Sequence, residues 1–149
     1  MGGGLTAIGE ATFGGCLSLS SVVIPDGVTA IGAAAFQRCV SLESVTLGAD
    51  VTSVGESAFD SCYNLTNITL PASVTALGGS AFNSCSNLAS VTLGTGITAI
   101  ESYTFGGCDR LTDIYYGGTE EDFSAVSIDN TNEANDPFLK AAVHYRQGA

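Results

Sequence analysis

The chain has 149 residues, 45% of them apolar, with four Lys+Arg against fifteen Asp+Glu and a net charge of −11. That balance argues against nucleic acid or an anionic membrane surface as partner, because both require clustered cations. No apolar run reaches the roughly 18 residues needed to cross a bilayer, so membrane insertion is not expected.

Residues 1–4 read as an artificial start, without the charged and then apolar stretches of a secretion signal. Leu5 falls directly into a repeat. Phe13, Phe36, Phe59, Phe82 and Phe105 recur every 23 residues, and Cys16, Cys39, Cys62, Cys85 and Cys108 follow them by three. A fixed period of this length marks a solenoid, whose units bury their apolar sides only against neighbouring units.

Within each unit the Phe sits in a short segment expected to form a helical turn, with small Ala35, Ala58 or Ala81 before it. Leu follows six residues after Phe, and apolar residues return nine and eleven residues after it: Val22/Ile24, Val45/Leu47, Ile68/Leu70, Val91/Leu93 and Ile114/Tyr116. That alternation predicts a short strand with one face inward. One strand per coil, with a return between, requires parallel pairing about 4.8 Å apart. A turn follows at Pro25, Gly48, Pro71, Gly94 and Gly117. A second extended piece comes next, with Thr29, Thr52, Thr75 and Thr98 facing outward. Gly9, Gly32, Gly55 and Gly78 close it, and Glu101 stands there in the last unit.

The unit I-G-x-x-A-F-x-x-C-x-x-L-x-x-V-x-L resembles the BspA-like (Treponema-type) leucine-rich repeat. The resemblance covers residues 5–116, which divide into five repeats. Residues 117–149 resemble the segment that closes such arrays, with Phe123 where the family often has Trp. It implies an α/β solenoid: a right-handed coil with a parallel β-sheet on one face and short helical or 3-10 turns on the other. It also implies a non-enzymatic binding or adhesion module of an exported, secreted or cell-surface bacterial protein, meeting protein or glycan on a host or neighbouring cell.

A solenoid end needs closing against further strand pairing. Phe123, Val126, Ile128, Phe138 and Leu139 are expected to cover the last coil, Thr119 to cap a small helix at Glu120, and residues 141–145 to form a final strand. Eight of the fifteen acids fall between Asp109 and Asp136, whereas residues 61–100 contain no Asp, Glu, Lys, Arg or His. The N-terminal edge has no comparable cap. The chain is therefore expected to be part of something longer, or to self-associate through that edge.

Catalytic and metal readings find little support. The five cysteines lie on a line, one per coil, rather than converging as zinc ligands do, and parallel neighbours point wrongly for a disulfide; buried thiols are expected. The sequence places no nucleophile or acid beside His144, which reads as a half-exposed strand residue. Asp129, Asn130, Asn132, Asn135 and Asp136 lack the spacing of a calcium loop and read as a polar loop. Asn64 and Asn67 match the N-glycosylation pattern but read as repeat residues. No cofactor or metal is expected.

The candidate binding face is the outward side of the strands: Ser21, Val23, Ser44, Thr46, Asn67, Thr69, Ser90, Thr92, Asp113 and Tyr115. The alternative is a structural spacer or self-associating scaffold, including a consensus-derived array. The irregular Glu101, Tyr103 and Thr104 point instead to a natural sequence.

Overall fold

The computed structural model describes residues 5–146, so the expected artificial start at residues 1–4 lies outside the described residues. The first coil supplies β1 (Ala7–Ile8) and β2 (Ser21–Ile24). The second adds β3 (Ala30–Ile31) and β4 (Ser44–Leu47), the third β5 (Ser53–Val54) and β6 (Asn67–Leu70). The fourth holds β7 (Ala76–Leu77) and β8 (Ser90–Leu93), the fifth β9 (Ala99–Ile100) and β10 (Asp113–Tyr116). The C-terminal segment contributes α1 (Glu120–Ser124), β11 (Ser127–Ile128), a 3-10 turn (Thr131–Glu133), α2 (Asp136–Lys140) and β12 (Ala142–His144). No helix among the described residues is long and apolar enough to cross a membrane.

Every strand pair is parallel, and within the coils each residue faces its counterpart 23 positions on, as Val22 faces Val45 and Ile68 faces Val91. Long and short strands thus line two faces along the axis, each face divided into two sheets. The phenylalanines stack between them, at ring separations of 5.2, 5.2, 5.3 and 5.6 Å from Phe13 to Phe105. Phe36, Phe59, Phe82 and Phe105 are fully buried. The thiols of Cys39, Cys62, Cys85 and Cys108 are buried too, each donating to the carbonyl of the Phe 26 residues earlier at 3.1–3.2 Å. Burial is the main reason these thiols titrate above their usual 9.0, with Cys62 and Cys108 pushed up to about 12.

The turn side differs from the helical turn expected for the coils. A helix would use each N–H within its own turn. Here alternate N–H groups close i→i+3 turns (Gln37 to Ala34, Cys39 to Phe36), and those between them donate to the next coil (Phe36 to Ala58, Arg38 to Asp60). The second set points along the axis because two residues per coil adopt left-handed backbone, for example Ser57 and Ser61 at φ of 56° and 61°. Those conformations are costly for non-glycine residues, and the axial ladder they permit offsets the cost. The solenoid is therefore hydrogen-bonded lengthwise on all three sides.

The closing segment imitates a sixth coil. β12 pairs with β10, β11 pairs with β9, and Phe138 extends the aromatic column 5.0 Å beyond Phe105. Thr119 caps α1 as expected, in a reciprocal capping box with Asp122. Phe123, Val126 and Ile128 pack on the core, but Leu139 does not, being 49% exposed. α2 turns inward on the Phe138 side, leaving the adjacent position facing solvent. In the polar loop Asn135 donates its N–H to the Asn130 Oδ1, and Asn130 donates to Asp136. These side chains bond to one another, which suits a folded loop.

Candidate functional site

Each long strand carries four residues, and its first and third side chains must face away from the core because successive side chains alternate. Ser21 and Val23 on β2 lie opposite Ser44 and Thr46 on β4. Asn67 and Thr69 on β6 lie opposite Ser90 and Thr92 on β8, and these opposite Asp113 and Tyr115 on β10. All ten predicted residues therefore share one face, in two rows. Val23 at 70% and Tyr115 at 46% are its large exposed apolar members.

The rows are not one uninterrupted ladder. β2–β4 and β6–β8–β10–β12 are separate sheets, with no registered pairing between β4 and β6. Pro71, at the end of β6, has no N–H to donate to the coil before it, whereas Gly94 and Gly117 at the same repeat position donate to Leu70 and Leu93 at 2.9 and 2.8 Å.

His144 joins this face, which the sequence reading did not foresee. It sits opposite Tyr115 in the β10–β12 pairing, and the two rings stack at 4.7 Å. Its Nε2 lies 2.8 Å from Asp113 Oδ1, correcting the expectation that no acid lies beside it. Thr112 donates its hydroxyl to the other carboxylate oxygen at 2.8 Å. The bond to His144 and then that from Thr112 hold the Asp113 carboxyl below its usual range. The cluster is solvent-facing: side-chain exposures of His144 and Asp113 are 47% and 37%. The face thus ends in an acid, a phenol and an imidazole, after four coils of neutral residues. Placing Tyr115 opposite His144 required knowing that the closing strand repeats the long-strand register.

The threonine row on the other sheet has a different role. Thr29, Thr52 and Thr75 donate their hydroxyls to the backbone carbonyl of the preceding Thr, at 3.2, 3.0 and 3.4 Å. That recurrent bond between coils accounts for threonine at this position and leaves the long-strand face as the better candidate for contact.

The shapes of known proteins agree with this architecture. A leucine-rich cell surface protein of Faecalibacterium prausnitzii superposes with a TM-score of 0.82 at 30% identity, over 88% of this chain and 35% of its own. A Treponema pallidum leucine-rich repeat protein aligns at 29% identity and a TM-score of 0.57, over 73% of this chain and 62% of its own. The pneumococcal vaccine antigen PcpA, 19% identical with a TM-score of 0.74, covers 93% of this chain and 38% of its own and shares the fold. The chain thus spans about a third of the Faecalibacterium protein's length. A search of curated sequences gives no match. The model of the BspA-type leucine-rich repeat region, in six copies, matches residues 6–134. With the stacked phenylalanines, the axial ladders and that match together, this chain belongs to the BspA-type leucine-rich repeat family.

Proposed function

We propose that this chain is a non-enzymatic binding or adhesion module of an exported bacterial surface protein, engaging a protein or glycan partner through the outward face of its long strands. One observation carries the reading: ten solvent-side positions from Ser21 to Tyr115, all small, neutral or aromatic except Asp113, repeat in register within each of the two long-strand sheets and end beside His144. Such a face offers hydroxyls, amides and ring surface at fixed spacing, without a deep cavity. Many weak contacts along it would add up through effective concentration. The surface-protein description of the Faecalibacterium relative supports an exported setting.

The test is binding of the intact chain to a printed glycan array and to intact epithelial cells. Replacing Thr69 and Thr92 together with Glu is expected to lower binding at least about tenfold, since an unpaired carboxylate desolvated in the contact costs on the order of a kcal/mol or more. Ala49→Glu, on an exposed turn away from the face, should leave it unchanged. Equal loss in both variants, or in neither, would discard this face.

A second reading has its own observation. On the first coil Phe13, Leu17 and Val23 are 37%, 61% and 70% exposed, an apolar rim suited to self-association as a scaffold. Size measured against concentration separates the two, because the scaffold predicts dimers that Leu17→Glu abolishes.

A further inference from the structure

The short-strand sheet is closed by a recurring pair of bonds at its first three junctions. Thr29, Thr52 and Thr75 donate N–H to the preceding Thr carbonyl at 2.8–2.9 Å, and Gly32, Gly55 and Gly78 donate to Ile8, Ile31 and Val54 at 2.8 Å. The fourth junction lacks both: Thr98 does not reach the Thr75 carbonyl, Glu101 does not reach Leu77, and β7 and β9 are unpaired. Instead β9 pairs forward with β11.

The cause lies in one residue. At this corner the other coils need glycine: a Cβ on Gly55 would sit 2.5 Å from the Ala33 nitrogen, and one on Gly32 2.7 Å from the Glu10 nitrogen. Glu101 carries that Cβ, so the fifth coil cannot close onto the fourth here. The gap opens into a shallow cleft of about 850 Å³. The fourth coil gives it a floor bare of side chains at Gly78 and Gly79. Glu56 of the third coil and Glu101 and Tyr103 of the fifth line its sides. Tyr103 is a second departure, a 42%-exposed aromatic where the other coils place Ala or Ser.

The charge of the cleft is one-sided. Glu56 and Glu101 are two coils apart, roughly 10 Å along the axis at about 4.8 Å per rung. Neither has an ionic partner among the described residues, and residues 61–100 supply no cation. The Thr75 and Leu77 carbonyls, left without the fifth coil's donors, add two acceptors beside the carboxylates. A cation with several N–H donors and a flat face satisfies carboxylate, carbonyl and ring together.

We propose that this cleft binds a guanidinium group, held between Glu56 and Glu101 against the Tyr103 ring over the Gly78–Gly79 floor. It lies on the short-strand side and stands apart from the long-strand face proposed above.

The experiment is an amide-resolved NMR titration of the intact chain with agmatine, with a Gly-Arg-Gly peptide, and with the matching citrulline peptide as neutral control. Shifts at Gly78, Gly79 and Tyr103 with agmatine and the arginine peptide, at dissociation constants up to about 10 mM, are expected. Binding should fall about two- to fivefold in Glu101→Gln, the range for an exposed ion pair, and also in Glu101→Gly, which restores the repeat glycine and should slow amide exchange at Thr98. Response to both probes marks a site for free cations. Response to the peptide alone marks a basic segment of a protein partner. Either outcome supports the proposal. No shift with either probe, equal shifts with the citrulline peptide, or undiminished binding in both Glu101 variants would overturn it.

Discussion

The side-chain carbonyl of Asn135 accepts the Phe105 N–H at 2.9 Å, where at the preceding junction the Phe82 N–H meets the backbone carbonyl of Thr104. One amide thus stands in for a missing coil. Its own NH2 group donates to the Glu101 and Asp129 carbonyls, and the residue is fully buried.

Replacing Asn135 with Ala would strand the buried Phe105 N–H and the Asp129 carbonyl, while the Glu101 carbonyl keeps its bonds from Thr104, so stability should fall by about 2–3 kcal/mol, near the upper cost of an unsatisfied buried group. Asn135→Asp keeps the acceptor and loses the donors. Urea unfolding of both variants checks this, and both should be less stable than the parent.

The aromatic column predicts a gradient of sensitivity. Phe82 is buried with a ring on each side, so Phe82→Ala should cost about 3–5 kcal/mol. Phe13 is 37% exposed, with the Phe36 ring on one side, and Phe13→Ala should cost clearly less. The same unfolding experiment ranks the two.

Glycine at the short-strand corner is a packing requirement. Gly55→Ala would drive a methyl into the backbone at Ala33 and should destabilise by about 1–3 kcal/mol through overpacking. Amide exchange at Gly55 and Thr52 should accelerate, which hydrogen-exchange mass spectrometry reads directly.

The thiol column makes stability fall in alkali. The folded chain keeps Cys39, Cys62, Cys85 and Cys108 protonated above the usual 9.0, whereas the unfolded chain releases those protons near that value. Between the two the folded state binds more protons, so unfolding free energy decreases as pH rises. The contribution should be intact below about pH 9 and lost progressively toward pH 12. Replacing Cys62 and Cys85 with Ala should flatten that slope in urea titrations. At pH 8 iodoacetamide should label half-buried Cys16 well before the other four.

Much of this was legible because position within the 23-residue unit fixes direction. Phe59 and Cys62 had to be inward and Thr69 outward once the period was known. The turn side was not legible, since Ala34, Arg38, Ser57 and Ser80 take left-handed backbone without the glycine that would announce it. Their conformation is set by hydrogen bonds to the next coil, a long-range effect. His144 escaped for a different reason: it follows Tyr115 by 29 residues rather than 23, because helices and a polar loop intervene. The Asp113–His144 bond therefore lies outside the reach of period counting. Glu101 stood out in the sequence, but its opening of the ladder needed the backbone distances at Gly32 and Gly55.

The closing segment acts as a sixth coil that prolongs both the aromatic column and the outward rows. Nuclear Overhauser contacts between ring protons test it most directly. Strong contacts are expected for Tyr115 with His144 and for Phe105 with Phe138 in the same sample. Absence of both, with His144 and Phe138 behaving as freely rotating solvent-exposed rings, would contradict it.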